Sequence, residues 1–338
     1  AVNYIAKWDG TGWSALTGLS GNGLDNSVLA LTVFDEDGDG PLPPALIAGG
    51  DFTTAGGVAV NYIAKWDGTG WSALTGLSGN GLDNSVLALT VFDEDGDGPL
   101  PPALIAGGNF TNAGGVAANG IARWDGTGWS ALSGPSGNGL DNSVLALTVF
   151  DEDGDGPLPP ALIAGGQFIT AGGVAVNRIA KWDGTGWSAL SGPSGNGMNV
   201  PVRALTIFDE DGNSPLPPAL IAGGAFTTAG GVAANRIAQW DWTGWSALSG
   251  PGGNGMSSQV FALTVFDEDG NGPLPPALYA GGNFTTAGGV AVNYIAKWDG
   301  TGWSALTGLS GNGLDNSVLA LTVFDEDGDG PLPPALIA

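Results

Sequence analysis

Residues 86–131 read VLALTVFDEDGDGPLPPALIAGGNFTNAGGVAANGIARWDGTGWSA, in which short apolar segments alternate with clusters of Gly, Pro, Asn and Asp. Two of these segments are Val86 to Phe92 and Ala103 to Ala106. The preceding copy of the unit supplies the other two as Tyr62 to Trp66 and Trp71 to Leu74. Segments of this length, rich in Val, Ile, Leu, Phe and Trp, predict β-strands. Helices are not expected, because no stretch of about a dozen residues keeps a helical apolar period without Gly or Pro.

The unit recurs along the whole chain with a constant period of 58 residues. The period is marked by Trp8, Trp66, Trp124, Trp182, Trp240 and Trp298. Residues 1–48 recur unchanged as residues 291–338, and the 338-residue chain is ten residues short of six full repeats. Copies this similar indicate recent amplification, deliberate design or excision from a longer array. We therefore treat residues 1–338 as one circularly permuted domain of six repeats.

Four antiparallel strands in every repeat are typical of the blades of a β-propeller. The order of motifs resembles that of kelch-like β-propellers, where a Gly-Gly pair closes the second strand, an aromatic residue lies on the third and a Trp on the fourth. Gly107, Gly108, Trp124 and Trp129 occupy the matching positions. Tachylectin-like propellers have similar Gly and Trp spacing. The resemblance implies a fold and no activity, and an open solenoid is the alternative architecture.

The two ends of the chain predict how a ring would close. Strands from Val318 to Phe324 and from Ala335 to Ala338 lack the second half of their sheet, and strands from Tyr4 to Trp8 and from Trp13 to Leu16 lack the first half. Pairing these strands would build one blade from both ends and remove the exposed sheet edges. The predicted fold is therefore an all-β, six-bladed propeller closed in this way.

The composition excludes several classes of function. Acidic residues number 33 against 8 basic ones, so the formal charge of −25 argues against nucleic acid as a partner. The absence of Cys and His removes disulfides, thiolate and imidazole metal ligands, and the commonest general base. No apolar run is long enough for a membrane helix, so membrane insertion is not expected.

The loop between the first and second strands carries a D-x-D-x-D-G motif, in which alternate oxygen ligands could wrap Ca²⁺. The candidate ligands are Asp35, Asp37, Asp39, Asp93, Asp95, Asp97, Asp151, Asp153, Asp155, Asp209, Asp211, Asn213, Asp267, Asp269, Asn271, Asp325, Asp327 and Asp329. Pro43 and Leu46 stand where the later ligands of a calcium loop would be, so any site is weak. The alternatives are a solvated hairpin tip and, less favoured, paired carboxylates for acid and base chemistry.

The paired tryptophans and the differences among the copies suggest further candidates. Trp8, Trp13 and their copies could stack on sugars, although blade packing explains them better. Trp242 occurs once, where the other units carry Gly. Differences among the copies gather at two places near the end of the second strand and the start of the third. These positions are Tyr4, Tyr62, Gly120, Arg178, Arg236 and Tyr294, and Asp51, Asn109, Gln167, Ala225 and Asn283. A binding surface or neutral drift at exposed positions would both produce this pattern.

Together these features predict a non-enzymatic structural or adhesive interaction module, extracellular or at the cell surface, with calcium as its candidate cofactor. Its partner would be a protein or a carbohydrate. The alternative is a multivalent lectin, in which six weak sites gain avidity by repetition. An enzyme on the propeller scaffold would need a unique polar cluster, and the sequence offers none.

Overall fold

The computed structural model describes residues 2–18, 21–38, 40–96, 98–154, 158–210, 218–241, 243–270, 274–308, 311–325 and 334–338. Five four-stranded antiparallel sheets, here called blades 1 to 5, follow one another along the chain. Blade 1 comprises Val28–Phe34, Ala45–Gly50, Ile63–Trp66 and Trp71–Ser72, and blade 2 comprises Val86–Phe92, Ala103–Gly108, Ile121–Trp124 and Trp129–Ala131. Blade 3 comprises Val144–Phe150, Ala161–Gly166, Ile179–Trp182 and Trp187–Ala189, and blade 4 comprises Val202–Phe208, Ala219–Gly224, Ile237–Trp240 and Trp245–Ala247. Blade 5 comprises Val260–Phe266, Ala277–Gly282, Ile295–Trp298 and Trp303–Ala305.

The predicted fold class is confirmed. The described residues contain no helix, and a four-stranded sheet recurs with each repeat, an arrangement consistent with a six-bladed propeller. The first strands of successive blades lie side by side, so these strands form the inner layer and the fourth strands form the outer edge. Membership of the kelch-like family stays a prediction.

The strand boundaries differ slightly from those expected. The second strand of blade 2 extends through the glycine pair to Gly108, and the third strand of blade 1 begins at Ile63. The outer strand of blade 1 ends at Ser72, two residues before the expected end. Two-residue ribbons, not predicted, fold the TTAGGVAV loops and two of the outer loops. They are Thr54–Ala55 with Val58–Ala59, Asn112–Ala113 with Val116–Ala117, Thr170–Ala171 with Val174–Ala175, Thr228–Ala229 with Val232–Ala233, Thr286–Ala287 with Val290–Ala291, Ser133–Gly134 with Gly137–Asn138, and Ser191–Gly192 with Gly195–Asn196.

The core lies between consecutive blades, and each blade contributes both of its faces to it. One face of blade 1, including Phe34 and Ile47, packs in one cluster with Leu104 and Trp124 of blade 2. The same arrangement repeats from blade 2 to blade 5. Because an inner blade is covered on both sides, its first two strands are almost continuously apolar. The second strand of blade 2 is buried along its entire length.

The glycine pair is required by close packing. A β-carbon on Gly107 would lie 2.6 Å from Val144 Cγ1 in the next blade. A β-carbon on Gly108 would lie 2.1 Å from the carbonyl oxygen of Ser85. The first glycine therefore lets two blades approach each other, and the second lets two strands of one blade approach, where the ladder also shifts register.

The two ends of the chain form separate two-stranded sheets, Ala6–Trp8 with Trp13–Ala15 and Thr322–Phe324 with Ala335–Ile337. Within the described ranges, no ladder or isolated bridge joins these two sheets to each other. Phe324 is 44% exposed, whereas its copy Phe34 is 1% exposed against blade 2. Closure of the ring through these strands stays a prediction. Among the described residues, no helix has the length and hydrophobicity needed to span a bilayer.

Candidate functional site

Because the strands are antiparallel, the two groups of candidate residues lie at opposite ends of the strands in each blade. The acidic loops, here called the acidic tips, follow the end of the first strand and precede the second. The positions that differ among the copies, here called the varied rim, lie where the second strand ends and the third begins. The varied rim comprises Tyr4, Tyr62, Gly120, Arg178, Arg236 and Tyr294, and Asp51, Asn109, Gln167, Ala225 and Asn283.

The structure describes only part of each predicted calcium loop. Asp35, Asp37, Asp93, Asp95, Asp151, Asp153, Asp209, Asp267, Asp269 and Asp325 lie within the described residues. Asp39, Asp97, Asp155, Asp211, Asn213, Asn271, Asp327 and Asp329 lie outside them. No group of three acidic side chains close enough to hold a metal ion occurs among the described residues. The metal prediction is therefore neither confirmed nor contradicted.

The first two aspartates of the tip shape the hairpin itself. Asp35 Oδ1 accepts a hydrogen bond from the Asp37 backbone N–H at 3.3 Å, and Asp37 Oδ2 accepts one from the Leu42 backbone N–H at 3.1 Å. The same pair of bonds recurs in the tips of blades 2, 3 and 5. The leucine N–H bonds to Oδ2 of the second aspartate, so Oδ1 of that residue takes no part in the hairpin. In those three blades this atom is buried and lacks a hydrogen-bond partner among the described residues: Asp95 Oδ1, Asp153 Oδ1 and Asp269 Oδ1.

The glutamate of the acidic tip, to which the sequence analysis gave no role, connects neighbouring blades. Glu36 forms an ion pair with Lys65 on the third strand of its own blade. Its other oxygen accepts a hydrogen bond from Trp124 Nε1 of the next blade at 3.4 Å. The corresponding indole bonds join Trp182 to Glu94 and Trp298 to Glu210. The available sequence signal was a Glu directly after a Phe-Asp pair, together with a Lys or Arg as the third residue of the third strand.

In blade 5 the same glutamate has an additional partner. Tyr279, which replaces the Ile of the other copies, donates its hydroxyl to Glu268. Lys297 lies 2.6 Å from the other oxygen of Glu268. Hydrogen bonds from Lys297 and Tyr279 lower the pKa of Glu268, and burial together with the adjacent carboxylate raises the pKa of Tyr279. The tip is thus anchored to the sheet by a charged network.

The varied rim has a uniform backbone beneath its different side chains. Tyr62, Gly120 and Arg178 have φ angles of 67°, 66° and 68°, and Tyr4, Arg236 and Tyr294 fall between 60° and 65°. In each blade the carbonyl of this residue accepts a hydrogen bond from the second glycine of the pair, as in Gly108 N to Gly120 O at 2.9 Å. The next residue after the glycine pair is the second varied position. The two varied positions are therefore neighbours in every blade.

A third varied element, which the sequence analysis did not single out, lies beside these two. The loop before each first strand reads Leu-Asp-Asn-Ser at residues 82–85 and 140–143, but Met-Asn-Val-Pro at 198–201 and Met-Ser-Ser-Gln at 256–259. Its last carbonyl accepts a hydrogen bond from the second varied position, as in Asn109 N to Ser85 O at 3.0 Å. The sequence alone gave no reason to join this loop to the rim, because the two are brought together only by the sheet.

An aspartate in this loop holds the rim to the adjoining ribbon. Asp83 accepts hydrogen bonds from the backbone N–H and hydroxyl of Thr111 at 2.8 and 2.7 Å, and from the backbone N–H of Asn112 at 3.0 Å. Burial raises the pKa of Asp83, but these hydrogen bonds outweigh it and leave the pKa below its usual value. Asn199 makes the equivalent bonds two repeats later, so the role does not depend on charge.

In blades 2 to 5 the tryptophan pairs belong to the core. The rings of Trp124 and Trp129 lie 5.3 Å apart at 53°, and both are buried. Trp129 Nε1 donates to the carbonyl of Leu74 in the preceding blade at 3.1 Å. This geometry explains the conserved spacing by packing and not by stacking on sugars. Trp13, in the two-stranded sheet at the start of the chain, is 70% exposed. Trp242 lies outside the described residues.

Comparison with known proteins gives similarity of structure alone. No protein-family profile and no curated protein matches the sequence. Among solved structures, the chain is similar to BBS1N in its complex with ARL6DN, with 12% identity and a TM-score of 0.41 over 91% of this chain and 88% of that one. It is also similar to the GH74 enzyme of Niastella koreensis, with 13% identity and a TM-score of 0.38 over 86% of this chain and 46% of that one. At these scores neither similarity carries an argument about function.

Proposed function

We propose that the protein is a non-enzymatic interaction module that binds a partner at the varied rim. The observation that carries the proposal is the placement of the differences: near-identical repeats differ in charge, size and polarity at neighbouring positions of one edge. The φ angle is nearly the same, 60° to 68°, at the six positions of the first set, so the blades differ there in their side chains. Arg178 and Arg236 supply positive charge on this edge of a strongly acidic chain. An extracellular or cell-surface location belongs to the same proposal.

The test compares two variants of equal mutational load. In the rim variant, Gly120→Tyr, Arg178→Tyr and Arg236→Tyr place tyrosine at all six positions of the first set. In the control, Asp37→Asn, Asp95→Asn and Asp153→Asn alter the acidic tips. Partners captured by the wild-type protein from the surface of the cells that produce it should be lost with the rim variant and kept with the control. Retention by the rim variant, or turnover of a substrate that one substitution abolishes, contradicts the proposal.

A carbohydrate partner is the second candidate, and the polar groups of the rim favour it. Asn109, Asn119, Asp141 and Ser143 surround one concave site between blades 2 and 3, where amides, a carboxylate and a hydroxyl could bind sugar hydroxyls. Glycan-array binding that needs the rim would assign the partner to this class. An array without binding, with or without calcium, removes the lectin alternative.

Calcium support of the acidic tips is the remaining part of the proposal. The unpartnered Asp95 Oδ1 and its two copies favour it, because a buried carboxylate oxygen without a donor is costly and a hard cation would satisfy it. Thermal unfolding in chelator and in millimolar calcium, with magnesium as control, tests this part. A rise with calcium that Asp37→Ala and the equivalent changes abolish supports the sites, and an unchanged midpoint leaves the tips as solvated hairpins.

A further inference from the structure

A cavity of about 360 Å³ opens on the varied rim between blades 2 and 3. Gly120 forms part of its wall, together with Asn109, Asn119 and Asp141. Leu140 and Phe110, both almost fully buried, also line it. The site is therefore concave and lined by both polar and apolar residues, as small-ligand pockets are.

The space at Gly120 corresponds to a side chain in the other blades. Tyr62 has the same φ angle and packs against the cluster that contains Leu82, the copy of Leu140. Arg178 reaches the equivalent point one blade later, where its Nη1 lies 3.5 Å from the carbonyl oxygen of Met198. Arg236 does the same at the carbonyl of Met256, at 3.4 Å. Because Gly120 ends at its α-carbon, the carbonyl oxygen of Asn142 comes to within 2.9 Å of where a β-carbon would lie, and the cavity beside these two residues is left to a ligand.

The loop that faces the position indicates which side chain fits. Arginine stands opposite the loops that begin with Met198 and Met256. Tyrosine stands opposite the Leu-Asp-Asn-Ser loop in both cases where the rest of the blade is present, at Tyr62 with residues 82–85 and at Tyr294 with residues 314–317. Gly120 faces residues 140–143, which read Leu-Asp-Asn-Ser. The walls at Gly120 are thus those that accompany a phenol elsewhere in the molecule.

We propose that the pocket at Gly120 binds a phenolic ring, supplied by a small phenol or by a tyrosine side chain of a partner. This deepens the proposed function by assigning one chemistry to one place on the varied rim. A cavity left by a missing side chain takes up molecules of the shape of that side chain. The ring would lie beside Leu140 and Phe110, with its hydroxyl toward the polar residues of the lining. A neutral phenol also avoids the repulsion that the acidic chain exerts on anions.

The probe is 4-methylphenol, the side chain of tyrosine without its backbone, titrated while ligand and protein NMR signals are recorded. We expect saturable binding at one site in the wild-type protein and a loss of affinity of about tenfold or more in Gly120→Tyr. The same Leu-Asp-Asn-Ser loop accommodates Tyr62, so this variant should fold once the Asn142 carbonyl, which would lie 2.9 Å from the new β-carbon, moves by a few tenths of an ångström. Circular dichroism checks its folding. The matched variant Tyr62→Gly opens a second pocket with the same loop and should raise the stoichiometry from one site to two.

Absence of saturable binding, or equal binding by wild type and Gly120→Tyr, overturns the assignment. Stronger binding of methylguanidinium than of 4-methylphenol overturns it as well, because the pocket would then suit arginine. N-acetyltyrosinamide separates the two sources: its binding points to a tyrosine of a partner, whereas binding of free phenols alone points to a small molecule. These readouts need no partner, so failure of the pocket is distinguishable from failure of the rim to bind a partner.

Discussion

Replacement of Gly107 by alanine tests whether the blades are held as closely as their packing indicates. A β-carbon there would lie 2.6 Å from Val144 Cγ1, 3.1 Å from Val144 Cβ and 3.2 Å from Leu147 Cδ1. Both neighbours are branched side chains on the inner strand of the next blade, and Val144 is fully buried. Overpacking of this kind costs about 1–3 kcal/mol. The loss of glycine flexibility in the unfolded chain offsets about 0.4–1 kcal/mol of that cost.

Gly128 provides the matched control in the same repeat. A β-carbon on Gly128 would meet no atom within 4 Å, and its φ angle lies outside the left-handed region. Gly128→Ala should therefore be neutral or stabilise the protein by up to about 1 kcal/mol. Denaturant unfolding followed by tryptophan fluorescence measures both variants against the wild type. Equal midpoints for Gly107→Ala and Gly128→Ala would refute the argument from blade packing.

A double-mutant cycle identifies the contact responsible. Val144→Ala alone should cost about 2 kcal/mol, because it removes buried methyl groups and leaves a cavity. In the double variant the new methyl group of Gly107→Ala enters that cavity, so the two costs should fall short of additivity by about 1 kcal/mol. Additive costs would mean that Gly107 is required for a reason other than its neighbour in the next blade.

Three further outcomes are expected. Asp83→Asn should keep the stability at neutral pH, as the natural asparagine of a later blade does. The variant should also lose less stability than the wild type between about pH 5 and pH 3. The pKa of Asp83 is lowered in the folded state, so its carboxylate stabilises the fold above the unfolded pKa of 3.8. That contribution is lost as the pH falls through the folded pKa. Trp129→Phe should lower the free energy of unfolding by about 1–3 kcal/mol by leaving a buried carbonyl without its donor, whereas Trp13→Phe, at an exposed indole, should change it little. Lys7→Cys and Ile337→Cys replace the copies of Lys65 and Ile47, which are paired in blade 1. If the ring closes with this register, the two cysteines should form an intramolecular disulfide. A purely intermolecular disulfide, or none, would contradict closure.

The sequence predicted the fold well because packing needs recur in each repeat. Val86 to Phe92 is apolar at every position except Thr90, and this strand is covered on both sides by neighbouring blades. Gly107 and Trp129 were placed correctly for the same reason, since each makes one contact that its copies repeat. Boundaries such as the extension to Gly108 were missed because bulged pairing depends on backbone hydrogen bonds and not on hydrophobic pattern.

The candidate site was predicted less completely, because its parts are distant in the chain. Glu36 and Trp124 are 88 residues apart, and nothing in either local sequence indicates that a hydrogen bond joins two blades. The loop at residues 140–143 reaches Gly120 only through the sheet. The acidic tips, conspicuous in the sequence, combine hairpin formation with anchoring to the third strand. In a motif that resembles a metal-ligand set, some carboxylate oxygens can therefore hold the hairpin by hydrogen bonds while others stay without a hydrogen-bond partner.

The backbone of the varied rim gives a physical reason to assign function there. A left-handed conformation costs a residue other than glycine about 1–2 kcal/mol, so glycine is the least costly choice at all six equivalent positions. Only Gly120 follows this rule, whereas the other five positions carry Tyr or Arg with φ between 60° and 68°. Packing of the blades does not demand those side chains, since blade 2 forms the same four strands without one. Side chains that are held in a costly backbone conformation and differ from blade to blade at one end of the strands support the proposal that this rim contacts a partner.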